Sequence, residues 1–287
     1  TRKESSAASD VYKRQTFPDV IERLQQQFEV ESNQEDKIFS PAELLQKMQG
    51  KDAVVITASE KMSAEVIAAN PQLKAICNVA VGYNNIDVAA ATAAGVMVTN
   101  TPDVLNETTA DYAWTLLMAN ARRVCESEHW LRGGNWKHWR FDSFLGADIH
   151  GATLGILGMG RIGQAIARRS TGFDMNVIYH NRSRATPEQE AYANNARYVS
   201  KEELLRTADH LILVLPYSPQ THHIIGAAEL ALMKPTATLV NIARGGIVDD
   251  VALIAALREN RIASAGLDVF ENCLLYTSDA ADDSLRV

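Results

Sequence analysis

Between residues 16 and 272 the chain alternates short aliphatic and β-branched runs with stretches of helical periodicity. The runs that read as strands are Ala53–Thr57, Ala75–Val79, Val96–Thr99, Thr153–Leu157, Asn176–His180, His210–Leu215, Thr238–Ile242 and Ser264–Phe270. They lack strict polar alternation, which suits parallel strands covered on both faces. Helix starts are marked by Ser40-Pro41-Ala42-Glu43, Thr186-Pro187-Glu188-Gln189 and Ser200-Lys201-Glu202-Glu203, each a capping-box pattern and the first two with Pro at the first helical position. A strand–helix–strand rhythm sustained this long predicts an α/β fold of doubly wound parallel sheets. The rhythm breaks once, at Asn106–Arg123, a long helix rich in Ala, Leu and Thr with Asn106 as the expected N-cap. This helix reads as the crossing between two domains. Tyr112, Ala113, Leu116, Leu117 and Ala119 give it more apolar surface than one side of a solvated helix should show.

Composition narrows the function. Across 287 residues, 28 Lys and Arg against 35 Asp and Glu leave a formal charge of −7, so there is no basic excess to hold nucleic acid. Apolar runs such as Leu211–Leu215 are far too short to span a bilayer, and Thr1–Gln15 has no signal-peptide core. Cys77, Cys125 and Cys273 show neither CxxC nor Cys/His pairing, against a disulfide scaffold or a zinc module. Cys77, mid-strand, reads as a small core residue. The expectation is a cytoplasmic protein without metal, nucleic-acid or membrane partner.

The two ends read differently. Cys273–Asp282, translated back through permitted codons and read on the opposite strand, reproduces the ten residues Ser5–Arg14. That agreement points to one DNA element, similar to a transposon-end sequencing adapter, flanking the insert in both orientations. Residues 1–15 and 273–287 are therefore expected to be non-native and to carry no fold information.

The chemistry starts at Thr153–Gly163. An apolar strand runs into Gly158-Met159-Gly160-Arg161-Ile162-Gly163, a GxGxxG turn that opens a helix and is followed by another strand. This context is what a dinucleotide site requires. Gly158 permits the tight turn, Gly160 lets the backbone approach a pyrophosphate, and Gly163 allows close helix–strand packing. The N–H groups at the helix start, from Arg161 and Ile162 onward, hold the anion. The alternative is a plain tight turn between strand and helix. Eighteen residues after Gly163 stands Asn181, in His180-Asn181-Arg182-Ser183-Arg184. No carboxylate is present to bind an NAD ribose, and Arg182 and Arg184 could grip a 2′-phosphate, so NADP(H) is expected over NAD(H). A solvated basic turn is the alternative.

Three further segments complete a set: Val79–Asp87 (VAVGYNNID), Asn241–Asp249 (NIARGGIVD) and Ala265–Glu271 (AGLDVFE), with Leu215-Pro216 after its strand. With the Gly-rich turn, these resemble the D-isomer-specific 2-hydroxyacid dehydrogenase family over essentially all of residues 16–272, most nearly the bacterial glyoxylate/hydroxypyruvate (2-ketoaldonate) reductases. The resemblance implies a flavodoxin-like substrate-binding domain over residues 16–100 and a Rossmann NAD(P)-binding domain over 101–272, with the site in the cleft between. Its first strand would precede Thr16, and the end of the cofactor domain would follow Asn272.

The resemblance also implies roles. Arg244 would clamp the substrate carboxylate and polarise the carbonyl, assisted by the backbone N–H groups of Val81 and Gly82. Asp268 and the Ala243 carbonyl would orient the nicotinamide carboxamide, with Ile242, Thr109, Leu215 and Pro216 lining the cofactor site. The implied reaction is reduction of glyoxylate, hydroxypyruvate or 2-ketogluconate by an NADP(H)-preferring enzyme. The Asn106–Arg123 helix would lie at the two-fold interface of a homodimer; simple burial between the domains is the alternative.

The family's acid/base histidine and its glutamate would fall downstream, the glutamate at position 273, where this chain has Cys273. The chain is therefore expected to be inactive by itself. His222 and His223 read as solvated loop residues, and His129, His138 and His150 as scattered. Two other functions stay open: a dinucleotide-sensing regulatory scaffold, and a phosphoglycerate- or formate-type dehydrogenase. The Arg244 clamp favours an enzyme over a sensor.

Overall fold

The structure, a computed structural model, describes residues 12–13, 18–33, 37 and 39–271. The implied junctions at 15/16 and 272/273 lie outside them. The chain divides after Val104 into two units.

In the first unit the strands are β1 (Tyr12–Lys13), β2 (Ser32–Asn33), β3 (Ala53–Ile56), β4 (Ala75–Asn78) and β5 (Met97–Thr99). Its helices are α1 (Pro18–Gln25), α2 (Pro41–Met48), α3 (Ala64–Ala68) and α4 (Val88–Ala93). Strands β3, β4 and β5 pair in parallel, in that order, and β1 pairs in parallel with β2. Tyr12–Lys13 lie in the segment expected to carry no fold information, yet they take up this pairing with Ser32–Asn33. Alternate residues of β3 and β4 are buried, and Val54, Ile56 and Ile76 pack with Leu44, Met48, Val66 and Ile67 of the helices. Cys77 falls on the other phase of β4 and is half-exposed, so it is not the core residue expected.

In the second unit the helices are α5 (Asn106–Ala121), α6 (Val124–Arg132), α7 (Arg161–Arg169), α8 (Pro187–Tyr192), α9 (Lys201–Thr207), α10 (Ala227–Leu232) and α11 (Asp250–Arg258). The strands β6 (Thr153–Leu157), β7 (Asn176–His180), β8 (Arg197–Tyr198), β9 (His210–Leu213), β10 (Thr238–Asn241) and β11 (Ser264–Leu267) form one parallel sheet. Its order is β11-β10-β9-β6-β7-β8, so chain order reverses between β6 and β9, the arrangement of a dinucleotide-binding Rossmann sheet. All four residues of β9 and of β10 are buried, which explains their unbroken apolar runs. Thr238 and Asn241 of β10 and His210 of β9 are the polar residues among them; the His210 ring meets the Thr238 hydroxyl at 2.8 Å and the Asp148 carbonyl at 3.0 Å, and burial pushes its pKa down, favouring the neutral ring.

The helix read as an inter-domain crossing belongs wholly to the second unit. Ala110, Ala113, Trp114 and Leu117 of α5 enter the core with Leu154, Ile156 and Ile166. Trp114 donates from Nε1 to the Ile166 carbonyl at 3.0 Å and stacks on Phe173, and Arg169 of α7 bonds Asp111 and Glu107. Much of the apolar surface is thus consumed inside this unit, leaving Tyr112 and Met118 exposed. Asn106 is the first helical residue, not the cap; Leu105 holds the cap position and offers no side-chain bond. The capping boxes at Ser40 and Thr186 form as expected. Ser200 also caps its helix, but Glu203 reaches Arg197 at 2.8 Å, so an ion pair replaces the second half of that box. Among the described residues no helix is long and apolar enough to cross a membrane.

Candidate functional site

At the end of β6 the chain turns beneath the neighbouring strand. Gly158 has φ +111°, and a Cβ there would lie 2.2 Å from the Val214 carbonyl oxygen. A Cβ on Gly163 would lie 2.3 Å from the Gly158 carbonyl oxygen. Gly160 differs: nothing lies within 4 Å of its Cβ position. Two of the glycines answer to the fold, and the third faces open space at the start of α7. The first N–H groups of that helix, at Arg161, Ile162 and Gly163, have no intrahelical acceptor and carry the positive end of the helix dipole. A pyrophosphate fits this cradle by charge and by room.

Asn181 ties the next strand to the turn. Its Oδ1 accepts from the Met159 N–H at 2.7 Å, while its carbonyl accepts from the Tyr198 hydroxyl at 3.1 Å. The two arginines that follow differ. Arg184 is committed to Glu190 in a two-point ion pair (2.8 and 2.9 Å), and Glu190 also accepts from the Tyr179 hydroxyl at 2.7 Å. Arg184 and Tyr179 hold the Glu190 carboxyl at about 2, and burial with that carboxylate pushes Tyr179 up to about 12. Arg182 is exposed and makes no ion pair among the described residues. Of the two guanidiniums expected to meet a phosphate, Arg184 is engaged by Glu190 and Arg182 is not in an ion pair among the described residues.

Past β10, buried Asn241 organises the arginine turn. Its Oδ1 accepts from the Ala243 N–H at 3.0 Å and its Nδ2 donates to the Arg244 carbonyl at 3.0 Å. Arg244 is half-buried in extended conformation, with Nη1 on the Ala243 carbonyl at 2.6 Å. Ile242 and Ala243 are buried, Leu215 is half-buried after β9, and Pro216 beside it is exposed. Asp268 is exposed, its N–H fixed on the Asn241 carbonyl at 3.0 Å. Thr109 is half-buried in the first turn of α5.

In the first unit, the Ala80 carbonyl accepts from the Thr101 N–H at 3.0 Å and the Val81 carbonyl from Asn100 Nδ2 at 2.9 Å. Across a trans peptide the N–H points away from the preceding carbonyl. The Val81 and Gly82 N–H groups are therefore both turned away from the Asn100–Thr101 segment, next to each other. Asn78 holds the Gly82 carbonyl at 2.8 Å. Sequence reasoning picked Val81, Gly82 and Arg244 but missed Asn78, Asn100 and Asn241; their only signal is an amide at a strand end, a common feature.

Comparison with known proteins decides the lineage. Residues 114–282 match the D-isomer specific 2-hydroxyacid dehydrogenase, NAD binding domain. The chain is 48% identical over 263 residues to a glyoxylate reductase of Thermococcus gammatolerans, covering 90% of this chain and 78% of that protein. The chain belongs to the D-isomer specific 2-hydroxyacid dehydrogenase family. Among solved structures, a D-isomer specific 2-hydroxyacid dehydrogenase from Polaromonas superposes with a TM-score of 0.87 at 35% identity, covering 98% of this chain and 87% of that one. An NADPH-dependent glyoxylate/hydroxypyruvate reductase from Sinorhizobium meliloti, solved with NADP and malonate, gives 0.80 at 33% identity, covering 94% and 81%.

In this dehydrogenase the histidines are not all as expected. His222 is exposed, but His223 is half-buried and its Nε2 lies 2.8 Å from Glu271 Oε2. The two imidazoles stack at 3.8 Å with planes 25° apart. The nitrogen and oxygen atoms of His222, His223 and Glu271 come within 4.8 Å of one another. Nearly parallel rings aim their in-plane lone pairs along parallel planes, so this geometry suits a hydrogen bond from His223 to Glu271 rather than convergence on one cation. His150 lies on the far side of β6, 3.1 Å from Asp174.

The glycine geometry yields a test. Gly160→Ala should cost only about 1 kcal/mol of stability, the usual loss when Ala takes an N-cap position. It should weaken NADPH binding about tenfold or more, because the methyl enters the space into which a pyrophosphate approaches. Gly158→Ala should lose stability outright. Thermal unfolding and NADPH fluorescence titration separate the two; equal behaviour of both variants would remove Gly160 from the site.

Proposed function

We propose that this chain reduces a small 2-oxo acid, with glyoxylate and hydroxypyruvate first and 2-ketogluconate next, to the D-2-hydroxy acid, using NADPH in preference to NADH. The observation that carries the reading is Arg244, a half-buried guanidinium at a sheet terminus whose backbone is pinned by Asn241. A pure dinucleotide sensor has no need of it. Family relatives named glyoxylate reductases, at 44–50% identity, support the substrate class. A phosphoglycerate- or formate-type activity is an outcome of a substrate panel.

In this reading the second unit holds the dinucleotide through Gly158, Gly160, Arg161, Ile162 and Gly163, with Leu215 and Pro216 along its path. The bound nicotinamide supplies hydride. Ile242 and Thr109 line its ring, while Asp268 and the Ala243 carbonyl, which has a second lone pair beside the Arg244 bond, orient its carboxamide. Arg244 offers N–H donors to the substrate carboxylate and to the carbonyl oxygen, where negative charge develops during reduction. It cannot supply the proton, because a guanidinium does not exchange near neutrality. The first unit, residues 16–100, is a flavodoxin-like substrate domain whose Val81 and Gly82 N–H groups receive a carboxylate.

The cofactor preference is carried by Arg182. Asn181, with Oδ1 spent on Met159, presents no negative charge to a 2′-phosphate, and Arg184 acts through its ion pair by ordering the turn. The assembly proposed is a homodimer. Trp139 and Phe141 are 73% and 82% exposed, beside the exposed Tyr112 and Met118 of α5 as apolar surface in need of cover.

Two outcomes are expected. Arg182→Ala should weaken NADPH binding by roughly 1.5–3 kcal/mol, the range for a charged hydrogen bond, and leave NADH unchanged. Fluorescence titration with equal NADPH and NADH affinities in the unaltered protein would sink the assignment. Static light scattering at micromolar concentration should give a dimer mass; a monomer counts against the interface.

A further inference from the structure

The turn that carries Arg244 is held between two segments that follow β9 and β11. Gly245–Ile247 forms one turn of 3-10 helix. On one side, the Gly246 carbonyl accepts from the His223 N–H at 2.7 Å, and the Ile247 carbonyl accepts from the Ile225 N–H at 3.2 Å. On the other side, a Cβ on Gly245 would lie 2.0 Å from the Phe270 carbonyl oxygen. A Cβ on Gly246 would lie 3.1 Å from His222 Nδ1 and 3.4 Å from Glu271 Oε1, so both flanks are in contact with the glycine pair. The flanks are joined to each other by the His223–Glu271 hydrogen bond at 2.8 Å. Glu271 is anchored in turn, its N–H on Asp250 Oδ2 at 3.2 Å.

The backbone of His223 marks the importance of this bridge. Its φ is +50°, in the left-handed region that glycine enters freely and other residues occupy mainly when the surroundings demand it. The strained conformation places the N–H on Gly246 and the ring on Glu271 at once. A histidine serving only as a solvated loop residue would need neither contact.

We propose that His223 and Glu271 are positioning residues: their hydrogen bond closes a clamp over Gly245–Gly246 and thereby sets the direction in which Arg244 presents its guanidinium. This rests on the reading of Arg244 as the carboxylate-binding group. The clamp touches neither substrate nor cofactor; it acts through the backbone of the turn. Removing it lets residues 244–247 relax between the two flanks and misaligns the donors on which binding of the 2-oxo acid depends.

The test uses the full 287-residue protein and does not require turnover. Oxalate, a dicarboxylate analogue of a 2-oxo acid, is titrated against the NADPH-loaded protein, and amide hydrogen exchange is followed for peptides spanning 217–226 and 244–250. Glu271→Ala and His223→Gly should each raise exchange in 244–250. They should weaken oxalate about tenfold, within the ~10²-fold that a 1 Å misplacement can cost, and leave the NADPH Kd within about twofold. His223→Gly also relieves the left-handed backbone, so loss of oxalate affinity without loss of thermal stability separates positioning from general unfolding. Glu271→Gln, whose amide oxygen still accepts from His223, should recover most of the affinity. Unchanged exchange in Glu271→Ala overturns the clamp, as does raised exchange with unchanged oxalate affinity. Arg244→Lys is the control for the underlying reading. If oxalate binding is absent or indifferent to that change, the role of Arg244 fails, while the exchange result still decides whether the bridge holds the turn.

Discussion

The close backbone approach of Gly158 to the Val214 carbonyl is the constraint on which the rest of the dinucleotide domain depends. It occurs where β6 and β9 lie side by side and the chain order of the sheet reverses. Strands on either side of such a point send their following loops in opposite directions, which opens a crevice at the carboxyl ends. The crevice exists only if the turn after β6 passes flat beneath β9, and that requires a residue without Cβ at positive φ. Gly163 then seats α7 against the same turn, so the helix start and its dipole are aimed by packing alone. The anion cradle is a consequence of how tightly two strands and one helix fit.

How much of this could be read from the sequence depends on the range of the interaction. The eight longer strands are legible because each is a short apolar run, buried on both faces in β9 and β10 and on one face in β3 and β4, and two of the three capping boxes because their partners are three residues apart. The failures are long-range competitions. Glu203 forsakes its helix cap for Arg197, a partner on β8, because a charged acceptor gains more from a guanidinium than from a backbone N–H. Arg184 is drawn to Glu190 in the same way. Phase within a strand decided Cys77, and two-residue strands such as Arg197–Tyr198 carry no pattern at all. The glycines, Arg244 and the Val81–Gly82 turn stand out because few residues satisfy their positions. Asn78, Asn100 and Asn241, which aim those groups, do not, because their role lies wholly in bonds to distant backbone.

The histidine pair shows the same limit from the other side. A short polar loop containing two adjacent histidines reads as solvent-facing, and for His222 that is correct. His223 differs by a single backbone feature, its left-handed φ, which turns the ring inward toward a glutamate 48 residues away. Nothing in the local sequence distinguishes the two. Only the parallel packing of the segments after β9, β10 and β11 brings them to one place.

A protein with a net charge of −7 that handles nucleotide and carboxylate anions cannot attract them by its overall field. The favourable charge has to be local. At physiological ionic strength exposed charges are screened beyond about 8 Å, so the acidic surface elsewhere matters little to a donor in contact with its anion. The structure supplies such donors sparingly: the N-terminal N–H groups of α7, two consecutive peptide N–H groups at Val81–Gly82, and the guanidiniums of Arg182 and Arg244. Three of these four are oriented by hydrogen bonds from neighbouring backbone or amide side chains, and none needs a cluster of like charges that would cost stability before the ligand arrives. Arg182 alone stays exposed on the surface without an ion pair among the described residues, so no described carboxylate competes with an anion for its guanidinium.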